Sequence, residues 1–404
     1  MVTNFFSGVL WPAATLRFAA LTAGSLFLQW LLFKGAHVLQ WGFNSPRTME
    51  GDIELYFQWV EAVLSGRAPY IDFLVPYPPV ALLVTLLPGV IARSYIVYLL
   101  AYSLLMFVAV GVLFALTESY ARLTNQNPKQ ALGWLTAFLT PLAGLVIWRF
   151  DVLVAVTILG ALVLLLRGRS GAAGAVAALG ALVKLVPALV LAVPILRFHR
   201  EPLPALRSVL SFVLTVSVAF AGWYAYAGPA LAASFRIHSQ RGLEFGSLPA
   251  GLLLLLGQFV PQSTRLISTN PCICLEVDHA WAPALAAAAL PLQALALSLA
   301  ALWVVFQKQR NDARDLAVLL FAYILTGKVF SPQYLIWTAP FVAFLPRLRW
   351  PFLVASILTT AVFPIAFGLI ASQVAWPIVA LNVRNAILVY CVWLIVKPSS
   401  PRVN

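Results

Sequence analysis

The sequence predicts an all-α, polytopic membrane protein, and three observations carry this prediction. Of its 404 residues, 62% are hydrophobic and only 10% are charged, whereas a soluble domain has about 25% charged residues. The mean hydropathy is +0.92. Apolar runs about as long as a bilayer is thick recur along the whole chain. A soluble enzyme, a disordered protein and a coiled coil are excluded, and residues 1–404 are expected to form a single integral membrane domain.

The net charge of +13 is explained by topology, and no nucleic-acid partner is expected. Lys and Arg cluster in short segments at 122–129, 167–169, 197–207, 308–314, 347–349 and 397–402. Placed on one side together with Arg17, these clusters hold 15 of the 26 cationic residues and 4 of the 13 acids, a net charge of +11. The other side then carries +2. By the positive-inside rule both termini are predicted to be cytoplasmic, in a plasma (inner) membrane.

This orientation divides the apolar runs into long and short passes. Long passes are predicted at about 15–33, 94–117, 208–227, 281–305 and 350–370, and a further pass at 383–396. Short runs form the pairs 131–147 with 152–166, 171–183 with 185–196, and 316–327 with 331–346. The total is about twelve passes, several of them short.

Each short pair turns at a charged position: Arg149 and Asp151, Lys184, or Lys328. Charge at membrane depth must face protein or water. We therefore expect the tips of these helices to line a cavity on the outer side.

Two outer segments are long enough to carry function. The first outer loop, 34–93, contains five acids and a stretch, 53–64, that resembles an interfacial amphipathic helix. The second, 228–280, contains a polar stretch, 238–244, and an apolar run, 247–260, expected to be interfacial or re-entrant.

Each candidate residue has a structural alternative. Asp52 is either a general base or the N-cap of the following helix. Arg149 and Asp151 either bind substrate or form a salt bridge with each other, and Lys184 either binds substrate or snorkels to the interface. The stretch with His238, Arg241 and Glu244 is interpreted as solvated surface unless other residues contact it. A functional role is favoured for Lys328, because a lysine followed by Ser331-Pro332 interrupts an apolar pair.

Cations that converge on an outer cavity suit a phosphate ligand. Nucleotide fingerprints such as GxGxxG or a P-loop are missing, so a lipid phosphate is expected. Cys272 and Cys274 are too close in sequence for an easy disulfide, Cys391 lies in an apolar run, and no Cys/His metal set occurs.

Taken together, several of these stretches resemble glycosyltransferase family 87. They are Gly51-Asp52 with Tyr56, residues 66–73, Tyr77-Pro78-Pro79, the Arg149/Asp151 turn, Lys184 before a proline, and Ser331-Pro332-Gln333-Tyr334 before Trp337. The resemblance spans about residues 50–390 and implies a type C glycosyltransferase-like helical bundle. Two positions depart from the family's pattern: Pro76, where relatives often carry an acid, and Gln333-Tyr334, where mycobacterial mannosyltransferases carry a histidine. Both bear on the sugar and the acceptor.

The resemblance implies an inverting hexosyltransferase. It would move a sugar, expected to be mannose, from a polyprenyl-phosphate donor to a hydroxyl of a glycolipid or glycan acceptor, on the extracytoplasmic side. Asp52 is implied to be the catalytic base, and Lys328 is expected to hold the donor phosphate, with Arg241 or Lys184 as alternatives. The implied substrate-binding residues are Glu54, Tyr56, Tyr77, Arg149, Asp151, Lys184, His238, Arg241, Glu244, Lys328, Gln333 and Tyr334. No cofactor is expected, and a divalent metal is compatible with the reaction but is not indicated.

Two other classes of protein compete with this interpretation. A lipid or sugar transporter or flippase could use the short helices as broken helices around a midplane site. Against it, the polar residues cluster on one face, and the sequence shows no inverted repeat. A scaffold subunit of an envelope-assembly complex would be insensitive to changes at Asp52. The oligomeric state stays open.

Overall fold

The computed structural model describes residues 13–38, 47–197, 199–260, 263–269 and 274–397, and 77% of it is helical. Cys272 and residues 39–46 of the first outer loop lie outside the described residues. The α-helices in chain order are α1 Ala13–Val38, α2 Arg47–Leu64, α3 Pro79–Leu86, α4 Tyr95–Leu123, α5 Pro128–Leu139, α6 Ala143–Trp148, α7 Asp151–Leu166, α8 Ser170–Ala181, α9 Ala192–Ile195, α10 Pro202–Ala227, α11 Leu231–Gln240, α12 Leu248–Gly257, α13 Ala282–Val305, α14 Asp312–Thr326, α15 Leu335–Val342, α16 Arg349–Thr360, α17 Phe367–Ala371 and α18 Ala375–Val396.

Five helical segments among the described residues are long and apolar enough to cross a membrane. They are Tyr95–Leu123, Pro202–Gln240, Ala282–Val305, Pro346–Ile365 and Ala375–Val396. These helices confirm a helical, multi-pass membrane protein. The count of about twelve passes stays a prediction, because the remaining helices are shorter or less apolar.

The short helix pairs turn where their charged residues predict. Helix α6 ends at Trp148 and α7 begins at Asp151, α8 ends at Ala181, and α14 ends at Thr326. The run 185–196 differs from a regular helix: it forms the 3₁₀ helix Val186–Leu191 followed by the single turn α9. Two prolines in this run remove backbone donors that an α-helix requires.

The second outer segment departs from an all-α fold. Strands β1 Arg265–Thr269 and β2 Cys274–Asp278 form an antiparallel hairpin, with Ile267 opposite Glu276. Glu244 makes an isolated bridge to Glu276 and so attaches the preceding loop to this hairpin. The apolar run 247–260 contains the predicted helix, α12, whose N-terminus is capped by the side chain of Ser247.

Helix α7 lies at the centre of the bundle, where it packs against α4, α8 and α15. Most of its residues are buried. Helix α10 packs against α8 at a close crossing, since a Cβ at Gly174 would lie 2.0 Å from the carbonyl oxygen of Ser208. In contrast, the most apolar windows of Pro202–Gln240 and Ala282–Val305 are only 11% buried, as expected for helices that face lipid.

The cationic clusters at 122–129, 167–169, 197–207, 308–314 and 347–349 lie at one end of the bundle, which we call the basic end. Arg197 pairs with Asp312 and Asp315 at the start of α14. The backbone N–H of Ala313 donates to the hydroxyl of Tyr120, near the end of α4. Helices α7 and α14 thus each have one terminus at or next to the basic end, and their other termini lie among the predicted site residues.

Candidate active site

Asp52 lies in the second turn of α2, with its side chain 33% exposed. Its carboxylate oxygen Oδ2 is 2.8 Å from Nε of Arg149. The alternative that Asp52 is an N-cap is wrong, because the helix already begins at Arg47. Tyr56, four residues on, shares the same helix face and is buried against Phe150. Glu54, two residues on, is exposed.

The turn between α6 and α7 carries two charges that diverge. Arg149 reaches Asp52, whereas Oδ1 of Asp151 lies 2.8 Å from Nζ of Lys184. The two charges of the turn thus contact distant segments, Asp52 in α2 and Lys184 after α8. Both side chains of the turn are buried. Arg149 therefore holds the Asp52 carboxylate on one side of the turn, and Asp151 holds the Lys184 ammonium on the other.

Lys184 is enclosed by aromatic rings. Its Nζ lies 5.5, 5.0 and 5.1 Å from the ring centroids of Phe150, Tyr334 and Trp337. Nε1 of Trp337 donates a hydrogen bond of 2.7 Å to Oδ1 of Asp151, the same oxygen that pairs with Lys184. We call these four residues around Lys184 the lysine cage. The Lys184 side chain is still 18% exposed, so its charge is fixed in direction yet accessible.

Local sequence explains how Lys184 reaches this position. The backbone N–H of Lys184 donates to the carbonyl of Gly180, 2.8 Å away, which closes the turn after α8. A Cβ at Gly180 would lie 2.3 Å from Oγ1 of Thr157 and 2.8 Å from Cβ of Pro187. Only glycine lets this turn approach α7 so closely.

Tyr77 lies among the charges of both pairs. It is within electrostatic reach of Asp52, Lys184, Arg149 and Asp151, and its ring contacts Phe150 at 5.0 Å. Burial, reinforced by the Asp52 carboxylate, raises the pKa of Tyr77 to about 12. At neutral pH its hydroxyl is therefore a neutral hydrogen-bond donor.

The second outer segment approaches the same region through its polar stretch. Nε2 of His238 lies 2.8 Å from the carbonyl oxygen of Pro76. Nζ of Lys328 donates to the carbonyls of Ser239 and Arg241, at 3.0 and 2.6 Å. His238 is within electrostatic reach of Arg241, Lys184 and Lys328. The stretch 238–244 therefore contacts other segments of the protein and is not solvated surface, and the hydrogen bonds from Lys328 hold it in place.

Glu244 is the buried acid of this region. Its Oε2 accepts the backbone N–H of Phe330 at 3.0 Å, and its own N–H donates to the carbonyl of Lys328 at 3.0 Å. Burial raises the pKa of Glu244 to about 7, against the opposing effect of Arg241. Arg241 also pairs with Glu276 at 3.7 Å. We call the end of the bundle that holds these residues, Asp52 and the lysine cage the site end.

One residue of this region was missed by the sequence analysis. Arg384, in α18, is only 2% exposed, and its guanidinium carbon lies 4.0 Å above the ring of Phe330. Its Nη2 donates to the carbonyl of Gly246 at 2.9 Å. The sequence did indicate a role for Arg384, because an arginine inside an apolar run is functional by default. The predicted span 383–396 placed it at a helix end, whereas α18 begins at Ala375.

The twelve substrate-binding candidates thus divide in two. Tyr56, Tyr77, Arg149, Asp151, Lys184, His238, Arg241, Glu244, Lys328 and Tyr334 converge with Asp52 at the site end. Glu54 is exposed, and Gln333 is half-buried. Within the described ranges, no three His, Cys, Asp or Glu side chains are grouped so that they could hold a metal ion; metal dependence stays untested.

The fold and the site define a multi-pass, helical membrane protein whose charged and aromatic side chains, drawn from distant segments, meet at one end of the bundle. The family model for glycosyltransferase family 87 matches residues 73–332. Because this match covers more than half of the chain, the protein belongs to glycosyltransferase family 87, a family of membrane enzymes. No curated protein matches the chain. The matched range includes the Arg149 turn, Lys184 and Lys328, while Asp52 and Arg384 lie outside it.

Proposed function

We propose that this glycosyltransferase is an inverting enzyme that moves mannose from a polyprenyl-phosphate donor to an acceptor hydroxyl, on the extracytoplasmic side of the plasma membrane. The observation that carries the proposal is the Arg149/Asp151 turn. It holds the partly exposed Asp52 carboxylate on one side and the caged Lys184 ammonium on the other. This pairing supplies a base for the acceptor and a cation for a phosphate leaving group.

The reaction is a single displacement. Asp52 accepts the proton of the acceptor hydroxyl, and the acceptor oxygen attacks the anomeric carbon. The bond from that carbon to the phosphate oxygen breaks, and polyprenyl phosphate leaves with the electron pair. Attack from the face opposite the leaving group inverts the anomeric centre, so a β-linked donor gives an α-linked product.

The surrounding residues orient these two groups. Arg149 fixes the Asp52 carboxylate, and Asp151 with Trp337 fixes the direction of Lys184. A preorganised cation stabilises charge that grows on the leaving oxygen without reorganising during the step. This geometry favours Lys184 over Lys328 as the principal phosphate contact, because Lys328 already donates to two backbone carbonyls. Arg241, in the second outer segment, and Lys328, just after α14, then stabilise the phosphate from the other side.

The extracytoplasmic side is supported by charge placement. Helix α7 has Asp151 at the site end, and Arg167 follows its other terminus, about 24 Å away for a helix of 16 residues. The site therefore lies across the bundle from the cationic clusters, which the positive-inside rule assigns to the cytoplasm.

The activity is tested with purified protein in detergent micelles. Synthetic polyprenyl-phosphate mannose and its glucose counterpart are offered with an envelope lipid and glycan extract as acceptor. We expect mannose transfer, equimolar release of polyprenyl phosphate and an α-linkage by NMR. A transporter needs a sealed bilayer, so the absence of turnover in micelles, with transport in vesicles, would contradict the proposal.

The sidedness is tested with two matched glutamine positions. Gln240→Cys lies at the site end and Gln309→Cys lies next to the basic end, and both residues are exposed. In a background without native cysteines, an impermeant maleimide should label position 240 in intact cells and position 309 only after permeabilisation. Labelling of both positions from the same side would overturn the assignment.

A further inference from the structure

Glu276, in strand β2, is a buried acid at the site end that takes no part in the displacement reaction described above. Two backbone hydrogen bonds, of 3.1 and 2.9 Å, join residues 243–245 to β2. They place Glu276 directly opposite Glu244. Side chains opposite each other in an antiparallel pair lie on the same face, with their Cβ atoms about 5 Å apart. The hairpin therefore brings a second carboxyl group beside Glu244.

Two acids side by side repel each other, so they require nearby cations. Nε of Arg241 lies 3.7 Å from Oε1 of Glu276, and the two side chains are only 14% and 8% exposed. Arg241 is also within electrostatic reach of Glu244, and Lys328 is within electrostatic reach of Glu276. The charge of Arg241 thus stabilises both acids.

The pair between Arg241 and Glu276 is loose. Its distance of 3.7 Å exceeds the 2.7–3.2 Å of an N–H···O hydrogen bond. Nε of Arg241 and Oε1 of Glu276 are both buried, and neither has a hydrogen-bond partner among the described residues. Buried polar atoms are almost always hydrogen-bonded. Arg241 is therefore held by charge alone and can exchange Glu276 for a partner with better geometry.

Arg241 also faces the reacting groups. Its charge acts on Tyr334, and the ring of Tyr334 lies 5.0 Å from Nζ of Lys184. A phosphate bound by Lys184 lies next to this ring and so within reach of the long side chain of Arg241. A guanidinium can donate two parallel hydrogen bonds to a phosphate. These bonds are stronger than the loose contact with Glu276.

We propose that Glu276 is a positioning residue that competes with the lipid phosphate for Arg241. Arg241 pairs with Glu276 between turnovers, moves to the phosphate when the donor binds, and returns to Glu276 when polyprenyl phosphate leaves. The inference rests on the proposed function, because it requires a lipid phosphate at Lys184. The exchange forms and breaks hydrogen bonds and an ion pair, and no covalent bond changes.

The charge of the product explains why a competitor is useful. The donor is a phosphate diester with one negative charge, whereas the released monoester carries about −1.5 to −2 at neutral pH. Lys184, Lys328 and Arg241 therefore attract the product more strongly than the donor. A carboxylate that takes back Arg241 weakens this attraction and favours release of polyprenyl phosphate.

The test measures Kd for farnesyl phosphate with purified protein in micelles. Glu276→Gln keeps the size of the side chain but removes the competing charge. We expect it to lower Kd about tenfold, or about 1.4 kcal/mol. The donor KM should also fall without a rise in kcat, because ground-state and transition-state binding are strengthened alike. Unchanged or weaker binding would overturn the proposal, and a purely structural role of Glu276 predicts weaker binding.

The matched control is Asp278→Asn. Asp278 is an exposed acid two residues further along β2, on the same face of the strand. Its neutralisation should leave Kd within about twofold of the wild type, because exposed charges interact weakly. A tenfold decrease in this control would mean that net charge, and not the exchange, sets the affinity.

A double-mutant cycle tests whether the effect acts through Arg241. In the background of Arg241→Gln, the further change Glu276→Gln should leave Kd unchanged, because the shared cation is gone. A decrease of the same size in both backgrounds would reject the exchange.

A second measurement uses the wild-type protein. In a cryo-EM map with farnesyl phosphate bound, the guanidinium of Arg241 should contact the phosphate and no longer Glu276. Arg241 still beside Glu276 would overturn the proposal. Tighter phosphate binding by Glu276→Gln, together with no mannose transfer by the wild type, would reject the proposed function and retain the exchange. Mannose transfer with an unchanged Kd in Glu276→Gln would reject the exchange alone.

Discussion

The two ends of the bundle both contain ion pairs between distant segments, such as Arg197 with Asp312 at the basic end, but the basic end adds a local and exposed pair. At the basic end, Arg122 pairs with Glu118 one helical turn away, and its side chain is 61% exposed. At the site end, Arg149 pairs with Asp52 from a distant helix, and the side chains of Arg149 and Lys184 are only 9% and 18% exposed. Exposed pairs contribute about 0–1 kcal/mol, whereas breaking a buried pair costs about 3–5 kcal/mol. Charge at the site end is therefore held in place, whereas the basic end combines held pairs at Arg197 with exposed charge that chiefly marks orientation.

The largest expected effect is that of Asp52→Asn. The amide keeps the shape of the side chain but removes the base, so turnover should fall about 10²–10⁴-fold. The measurement is kcat with the lipid-phosphate donor in micelles. Glu61→Gln is the matched control, because Glu61 is an exposed acid on the same helix, and its kcat should stay at the wild-type value. Full activity of Asp52→Asn would remove Asp52 from the mechanism.

The second effect concerns Lys184 and separates its catalytic role from its structural one. Lys184→Met should lower kcat about 10²-fold, the usual cost of losing one group that stabilises the leaving charge. It also leaves Asp151 buried without its lysine, which lowers stability. The double variant Asp151→Asn/Lys184→Met removes both charges and keeps an oxygen that accepts from Trp337. We expect the double variant to regain thermal stability but not activity.

Recovery of kcat in the double variant would mean that Lys184 acts only as the ion-pair partner of Asp151 and not in catalysis. The comparison at the basic end is Arg197→Met, which removes the cation that Asp312 and Asp315 share and leaves each with a neighbouring arginine. It should lower the thermal midpoint while kcat of the folded fraction stays within about twofold. A comparable loss of kcat there would break the distinction between the two ends.

A smaller effect is expected at Arg384, which positions Phe330 and, through it, the ring of Tyr334 that stacks near it at 6.3 Å. Arg384→Met should lower kcat about tenfold, or about 1.4 kcal/mol, with little change in donor KM. Arg384→Lys should recover only part, because a lysine lacks the planar group that covers the ring. If both variants reduce only the yield of folded protein and leave kcat unchanged, Arg384 has a purely structural role.

The smallest effect is a dependence of stability on pH. The pKa of Glu244 is raised from its usual 4.5 to about 7, so the folded state binds the proton more tightly than the unfolded chain does. This contribution is complete below about pH 4.5 and is lost as pH rises through about 7. Glu244→Gln should therefore gain thermal stability relative to the wild type over that interval. Parallel melting curves at every pH would contradict the assignment.

Sequence patterns located the tips of the short helices but not the partners of the residues there. Arg149 and Lys184 stand out because each interrupts an apolar run, and the cost of charge in lipid makes that interruption informative. Nothing local indicates that Arg149 meets Asp52, since that contact depends on how α2 lies across the turn before α7. A pairing between distant segments is a property of packing, which a single sequence does not encode in any periodic form.

The hairpin and Arg384 show two other limits. The strands at 265–278 are five residues each and lie beyond the apolar runs, so a search for membrane helices passes over them. Arg384 was assigned to the edge of a span, because the predicted span 383–396 began about two helical turns after α18 begins at Ala375. Both misjudged features contact the chain at Glu244 and Gly246, since Glu276 of the hairpin bridges Glu244 and Arg384 donates to Gly246.

The close contact between Gly174 and Ser208 fixes α10 against α8 near the start of α10. The other half of α10, at Val218 and Gly222, lines an apolar groove between α10 and α3. Helix α10 is therefore positioned by a close contact near its start, and the residues that line the groove lie further along the helix. Ser208 and Gly222 are 14 residues apart on α10, about 21 Å along the axis. A methyl group added at position 174 would push Ser208 away and tilt α10, and the displacement would increase along the helix with distance from Ser208. The position of the membrane-facing half of α10 therefore depends in part on the absence of a side chain at residue 174.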